Sequence, residues 1–268
     1  MRTISVITAA HAPSAHYLAE TARSVAAQQL PPGWACEWLV QEDGEAPALA
    51  DRVGGARYAG NGVRLGIAAT RNLALARATG ELVQNLDHDD VLLPHALATL
   101  ISRFEEHPVH WAVMSADDLL PDGTRRPFPP DLPHGPVPPG AVNRWAEERG
   151  GNWPLHGGGL AARTETLRAL GGWTGVPVDD ELGALVALSE LTPGWHDHAV
   201  TWLYRKHPAQ TTNSSLYPGL EHTGRRIALQ RAKALRSTGL RVSVERPGAG
   251  SHDVDLGPNI RLVGGESG

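Results

Sequence analysis

Apolar residues come in short runs through the first 120 positions, and the runs break on polar or acidic residues. Residues 3–8, 38–41, 82–86 and 111–115 carry β-branched, aliphatic and aromatic side chains, the make-up of buried strands. Residues 56–59 are a shorter candidate of the same kind. Helical spacing fills the intervals. In 15–29, Leu18, Ala22 and Val25 share one face, Ser14 stands at the N-cap position and Pro31-Pro32-Gly33 follows. A second helix is expected over 67–78, with Gly80 just past its end. In 94–106, Leu97, Leu100, Ile101 and Phe104 form an i, i+3, i+4, i+7 stripe behind Pro94. The order β-α-β-β-α-β-α-β predicts a largely parallel sheet with right-handed crossovers.

The pattern changes at residue 121. Eight prolines fall in 121–140 without periodicity, which predicts an extended loop or lid. Helices are then expected at 143–149, 164–170, from Asp179 or Asp180 through Leu188, and at 219–235. Strands are expected at 157–162, 199–204 and 241–244. The glycine run Gly157-Gly158-Gly159 predicts a backbone approached closely by another group. This divides the chain into 1–120, 121–240 and a C-terminal strand and tail, 241–268.

Composition narrows the classes. With 268 residues, 41% hydrophobic and 20% charged, the chain can bury a sizeable core as one large domain or two small ones. A net charge of −5 with no basic block argues against nucleic acid. The single cysteine, Cys36, excludes an intrachain disulfide and a cysteine-cluster zinc site. The N-terminus enters a strand pattern directly, and no apolar run reaches the roughly 20 residues that span a bilayer. The expectation is a soluble, cytoplasmic protein without an integral membrane segment. Oligomeric state is not readable.

The chemistry concentrates where runs end. Leu82-Val83-Gln84-Asn85-Leu86 stops at Asp87-His88-Asp89-Asp90, three carboxylates in four positions. Ligands bind at the carboxyl edge of open α/β sheets. Unpaired acids repel there, and a hard divalent cation, Mg²⁺ or Mn²⁺, removes that repulsion and also takes phosphate. The alternative is a solvated acidic turn. The run 38–41 likewise ends in Glu42-Asp43-Gly44, a second ligand candidate or a plain turn. His196-Asp197-His198 has zinc-ligand residue types but no third ligand in view. Trp145, Trp153, Trp173 and Trp195 suit either sugar stacking or core packing.

Taken together, these segments resemble the inverting family 2 glycosyltransferases. Residues 4–8 match the first strand, 18–28 the first helix, and Val40-Gln41-Glu42-Asp43-Gly44 the strand that ends in acids. Gly66-Ile67-Ala68-Ala69-Thr70-Arg71-Asn72 matches the helix start beside the donor, and residues 80–90 match the Gly-Glu-strand-Asp-x-Asp-Asp segment. The resemblance implies a GT-A fold: a Rossmann-type, mostly parallel sheet flanked by helices, with a less regular acceptor-side half. It also implies a nucleotide-diphosphate sugar donor and a small-molecule or glycan acceptor. Donor contacts are implied at Thr8, Ala10, His11, Asp43, Gly66, Arg71, Asn72, Asp87 and His88. A Mn²⁺ or Mg²⁺ ion is implied at Asp89 and Asp87 with His207, which lies in the segment Tyr204-Arg205-Lys206-His207. Gly172-Trp173 resembles the acceptor-side glycine–aromatic turn. Val178-Asp179-Asp180-Glu181-Leu182 resembles Glu-Asp-x-Asp-Leu, with Val178 departing from glutamate. Its general base then falls on Asp179 or Asp180. Two rivals stand beside this reading. A haloacid-dehalogenase-type phosphatase would use Asp87 as nucleophile, but both lysines, Lys206 and Lys233, lie beyond Asp180. An inert sugar-nucleotide-binding protein would lack a working base.

Overall fold

Residues 1–176, 178–243 and 261–263 are described by a computed structural model. The apolar runs form β1 (Arg2–Ala10), β2 (Trp34–Glu42), β3 (Arg57–Gly60), β4 (Leu82–Asn85), the short β5 (Val91–Leu92) and β6 (Trp111–Leu119). Between them run α1 (Leu18–Ala26), α2 (Ile67–Arg77) and α3 (Ala96–Glu106). The second half adds β7 (Arg125–Pro127), β8 (Gly135–Val137), α4 (Ala141–Glu148), β9 (Leu160–Arg163), α5 (Thr164–Ala169), α6 (Asp180–Leu191), β10 (Gly194–Arg205) and α7 (Tyr217–Ser237). A separate hairpin pairs β11 (Arg241–Ser243) with β12 (Arg261–Val263). Val244 and the rest of the glycine-rich tail, apart from β12, lie outside the described residues.

The main sheet has ten strands in the order β3-β2-β1-β4-β9-β6-β10-β5, with β7 on β6 and β8 on β10. β1 is parallel to β2 and β4, β2 to β3, and β6 to β10; β9 runs antiparallel between β4 and β6. Six strands therefore run one way, and their carboxyl ends share an edge. Both faces are apolar. Leu97, Leu100, Ile101 and Phe104 of α3 pack on one face with Ile4, Val6 and Leu82. Ile7, Val83 and Leu160 meet Leu185, Leu188 and Trp173 on the other. No described helix is long and apolar enough to cross a membrane.

Several boundaries differ from the sequence pattern for local reasons. The first helix starts at Leu18, because Pro13 draws 12–17 into tight turns with Ala15 off helical geometry. Ser14 Oγ donates to His11 O at 3.1 Å and caps nothing. The helix stops at Ala26, and Gln28 instead ties two elements, donating to Leu93 O at 2.9 Å and accepting from Leu97 N at 3.1 Å. Gly80 does not close α2. A Cβ there would lie 2.6 Å from Ser5 Oγ, so glycine lets the chain lie against β1. The proline-rich stretch is a strap that contributes β7 and β8. His196 and His198 pin it, donating to Pro133 O at 3.1 Å and Leu132 O at 2.8 Å. Their role is structural, and they hold no zinc cluster among the described residues.

Candidate active site

The shared sheet edge opens into a cleft of about 570 Å³. Its floor is built from strand ends: Ala10 and His11 after β1, Asp43 after β2, and Asp87, His88 and Asp89 after β4. The opposite wall is the start of α6, Asp179 to Leu182, with Tyr217 and Arg225 of α7. Thr8 is fully buried and accepts from Trp38 Nε1 at 3.0 Å, so it supports the floor from below.

Asp43 is held by the loop that leads into α2. Its carboxylate accepts from Leu65 N at 2.7 Å, Gly66 N at 3.1 Å and Asn61 Nδ2 at 3.1 Å. Gly66 takes φ 85°, a conformation that favours glycine. The carboxylate thus fixes the turn at the helix start.

The ligand oxygens of Asp87, Asp89 and Asp90 lie within 4.8 Å of one another. Asp90 is buried and accepts from Arg205 N at 2.9 Å. Burial pushes its carboxyl well up, and the adjacent Asp89 and Asp87 charges add to the push. Hard oxygen donors this close, in a partly buried site, fit Mg²⁺ or Mn²⁺. His207 adjoins this cluster, its Nε2 2.9 Å from Asp89 Oδ2, though it is not one of the three residues whose ligand atoms all lie within 4.8 Å of one another.

Arg71 joins the two walls. It is fully buried and does not reach the cleft surface. Nη2 pairs with Asp87, and Nη1 meets Asp180 Oδ2 at 2.7 Å and Glu181 Oε1 at 2.6 Å. One cation against three carboxylates leaves a net negative charge, and the flanking acids hold Arg71 firmly protonated despite burial. Burial pushes the Asp180 carboxyl up, against the pull of Arg71. Asn72 makes a second clasp: Oδ1 accepts from Trp173 N at 2.9 Å, and Nδ2 donates to Trp173 O at 2.9 Å. Arg71→Ala leaves three acids without their buried counter-charge. It is expected to lower stability by about 3–5 kcal/mol. Equilibrium urea unfolding checks this, and wild-type stability would contradict it.

Asp179 is the one described non-glycine residue with positive φ, at 59°. Backbone strain of this kind collects at functional sites. Its Oδ1 accepts from Tyr217 Oη at 2.6 Å, and Arg225 Nε stands 3.8 Å from Oδ2. Burial pushes the carboxyl above the ordinary aspartate range. Both candidate bases line the cleft; Asp180 is 2% exposed and paired with Arg71, while Asp179 accepts from Tyr217.

With this geometry in hand, the comparisons are specific. The model of Glycosyl transferase family 2 matches residues 5–148, just over half of the chain. The chain belongs to glycosyl transferase family 2. Its fold is the GT-A arrangement also seen in S. aureus TarS. The structure of TarS residues 1–349 is 16% identical with a TM-score of 0.60, over 76% of this chain and 60% of that one. The same protein in complex with UDP-GlcNAc gives 15% and 0.65, over 88% and 72%. Its complex with UDP gives 16% and 0.60, over 87% and 71%. This family 2 chain therefore spans 60% of the first of these structures, and 45% of whole TarS. No curated protein sequence matches it.

In this family 2 chain the phosphatase rival loses its footing. Asp87 ends the fourth strand, and its carboxylate is engaged by Arg71. Gly172 and Trp173 do not line the cleft. Trp173 is buried in the core at 3% exposure, and Gly172 is pressed on Asn72, where a Cβ would lie 2.1 Å from Oδ1. Of the four tryptophans considered, only Trp153 lines the cleft. The pattern missed Tyr217 and Arg225, which α7 brings in from the far end of the chain. His207 is 8% exposed, its ring set 5.1 Å from that of Tyr17.

Proposed function

We propose that the protein moves a sugar from a nucleotide-diphosphate sugar to an acceptor hydroxyl with inversion. One observation carries this: an oxygen cluster that suits a cation faces a strained, partly buried carboxylate across a single cleft. The UDP-GlcNAc and UDP complexes of TarS support a nucleotide-sugar donor. Asp87 and Asp89 would hold Mn²⁺ or Mg²⁺, which when bound supplies Lewis-acid charge to the leaving diphosphate. His207 orients Asp89, and Arg71 orients Asp87. Asp43 and the Gly66 turn shape the nucleoside end. Asp179 accepts the acceptor hydroxyl's proton as that oxygen attacks the anomeric carbon. The sugar–phosphate bond breaks, its electron pair leaves on the diphosphate, and a single displacement inverts the centre.

A thermal-shift screen of nucleotide-diphosphate sugars with and without Mn²⁺ tests the reading. A donor at 100 times its Kd stabilises by about 2.7 kcal/mol. For a chain of this size that is a shift of roughly 5–10 °C. The shift should require the metal. No shift from any donor, or equal shifts in chelator, would overturn the reading.

Tyr217 gives a pH prediction. Its hydrogen bond favours the charged form of Asp179, opposing burial and the Glu181 and Glu221 charges, with Arg225 helping. Burial and Asp179 itself keep Tyr217 protonated. Asp179 must be deprotonated to act, so its pKa sets the acid limb of kcat/KM. Tyr217→Phe removes a lowering influence and should move that limb to higher pH. A limb that stays or moves down would contradict the assignment.

A further inference from the structure

His156 lies on the cleft wall, and no step above uses it. It precedes the Gly157–Gly159 turn, which takes it past Glu181: a Cβ on Gly157 would lie 2.3 Å from Glu181 Cβ. The ring is fixed by aromatic neighbours. Trp202 stands edge-on with centroids 4.9 Å apart, and Tyr204 is tilted at 4.7 Å. Phe128 meets it edge-on at 6.3 Å. Gly158 N–H donates to Nδ1 at 3.3 Å, so that nitrogen is an acceptor and bears no proton. Burial holds the imidazole below its ordinary pKa, against the pull of Glu181 and Asp87. The ring is therefore neutral at pH 7, with its proton on Nε2. No described residue accepts from Nε2 by the hydrogen bonds present, so this N–H is unspent.

The placement is informative. His156, Asp87 and Glu181 line the same cleft, and the chain just after His156 is packed against Glu181 beside the proposed base. In the donor reading above, the transferred sugar lies in this cleft between the Asp87–Asp89 side and the Asp179 side, so His156 is a group that can face it. A neutral N–H suits a sugar hydroxyl, which carries no charge. An N–H with no protein acceptor also discriminates, because an analogue lacking the hydroxyl cannot take the bond.

We propose that His156 Nε2–H donates to a hydroxyl of the transferred sugar and so helps set which sugar the cleft accepts. This rests on the donor reading above. The test uses full-length protein, Mn²⁺ and calorimetry, comparing UDP with UDP-glucose and UDP-GlcNAc, and GDP with GDP-mannose. His156→Asn keeps an acceptor near the Nδ1 position for Gly158 but lacks the Nε2 donor. His156→Gln places an amide N–H near Nε2. For whichever sugar nucleotide the wild type binds, His156→Asn should weaken binding about tenfold. Its affinity for the bare nucleotide diphosphate should not change, and His156→Gln should recover most of the loss. Unchanged sugar binding in His156→Asn, equal loss for sugar nucleotide and nucleotide, or no rescue by glutamine would overturn the proposal. Nitrogen-15 imidazole spectra of the free protein give an independent check. They should show the Nε2–H tautomer at pH 7; an Nδ1–H tautomer or an imidazolium would overturn the proposal while leaving the donor reading intact. Wild-type protein that binds none of these nucleotides would sink the donor reading itself, and this proposal with it.

Discussion

Asp89→Asn is expected to abolish Mn²⁺-dependent binding of the nucleotide-sugar donor. The substitution keeps the shape of the side chain and a hydrogen-bonding atom for His207, which lies 2.9 Å from Oδ2. It removes one of the charges that would hold the proposed cation. Loss of an outer-shell partner alone costs about 10–100-fold in metal affinity, so loss of a direct ligand should cost at least about 100-fold. The same change relieves Asp90, whose carboxyl is pushed up by burial and by its acidic neighbours. The folded protein should therefore survive the substitution, and lost binding can be assigned to the site. Calorimetry with Mn²⁺ and the best donor from the thermal screen measures it. Unchanged donor affinity would remove Asp89 from the metal site.

Asp179→Asn should separate binding from turnover. Asparagine tolerates the left-handed backbone that Asp179 adopts at φ 59° better than most residues. Its side-chain oxygen can still accept from Tyr217, which donates to Asp179 at 2.6 Å. The fold and the donor site across the cleft are then preserved, while the proton acceptor is gone. Loss of a general base costs about 10²–10⁴-fold in kcat. Donor affinity should stay at the wild-type value. Full turnover in this variant would place the base elsewhere on the same helix start. Asp180 is a poor substitute, because its carboxylate is committed to Arg71 at 2.7 Å. An inert binding protein would lose nothing measurable in either variant's turnover, since it has none.

The parts legible in the sequence were those encoded locally. Acids that follow an apolar run must lie at a strand's carboxyl end, and so Asp43, Asp87 and Asp89 were placed correctly on one edge. The i, i+3, i+4 stripe of α3 was equally direct. What local pattern cannot carry is the pairing of distant residues. Arg71 meets Asp180 across 109 positions, and Asn72 meets Trp173 across 101. The chain around Arg71 and Asn72 matches a donor-side motif, yet both side chains are turned to the other wall. Trp173 has the composition of a sugar platform and is buried because its turn is clasped by Asn72. The first helix lost its opening turn to Pro13, a local signal that the apolar spacing at Leu18 and Ala22 masked. His156 carried no signal beyond the glycines after it. Those glycines matter because Trp202 presses on them: a Cβ on Gly158 would lie 2.6 Å from its ring.

The central claim is a single displacement at a sugar carbon, driven from one cleft. Proton NMR of the anomeric signal tests it most directly, in Mn²⁺, with the donor identified by thermal shift and water standing in for the acceptor. An α-linked donor should be converted first to the β-configured sugar, with nucleotide diphosphate released and no inorganic phosphate. An α-configured first product, or release of inorganic phosphate with the sugar–phosphate bond intact, would contradict the account.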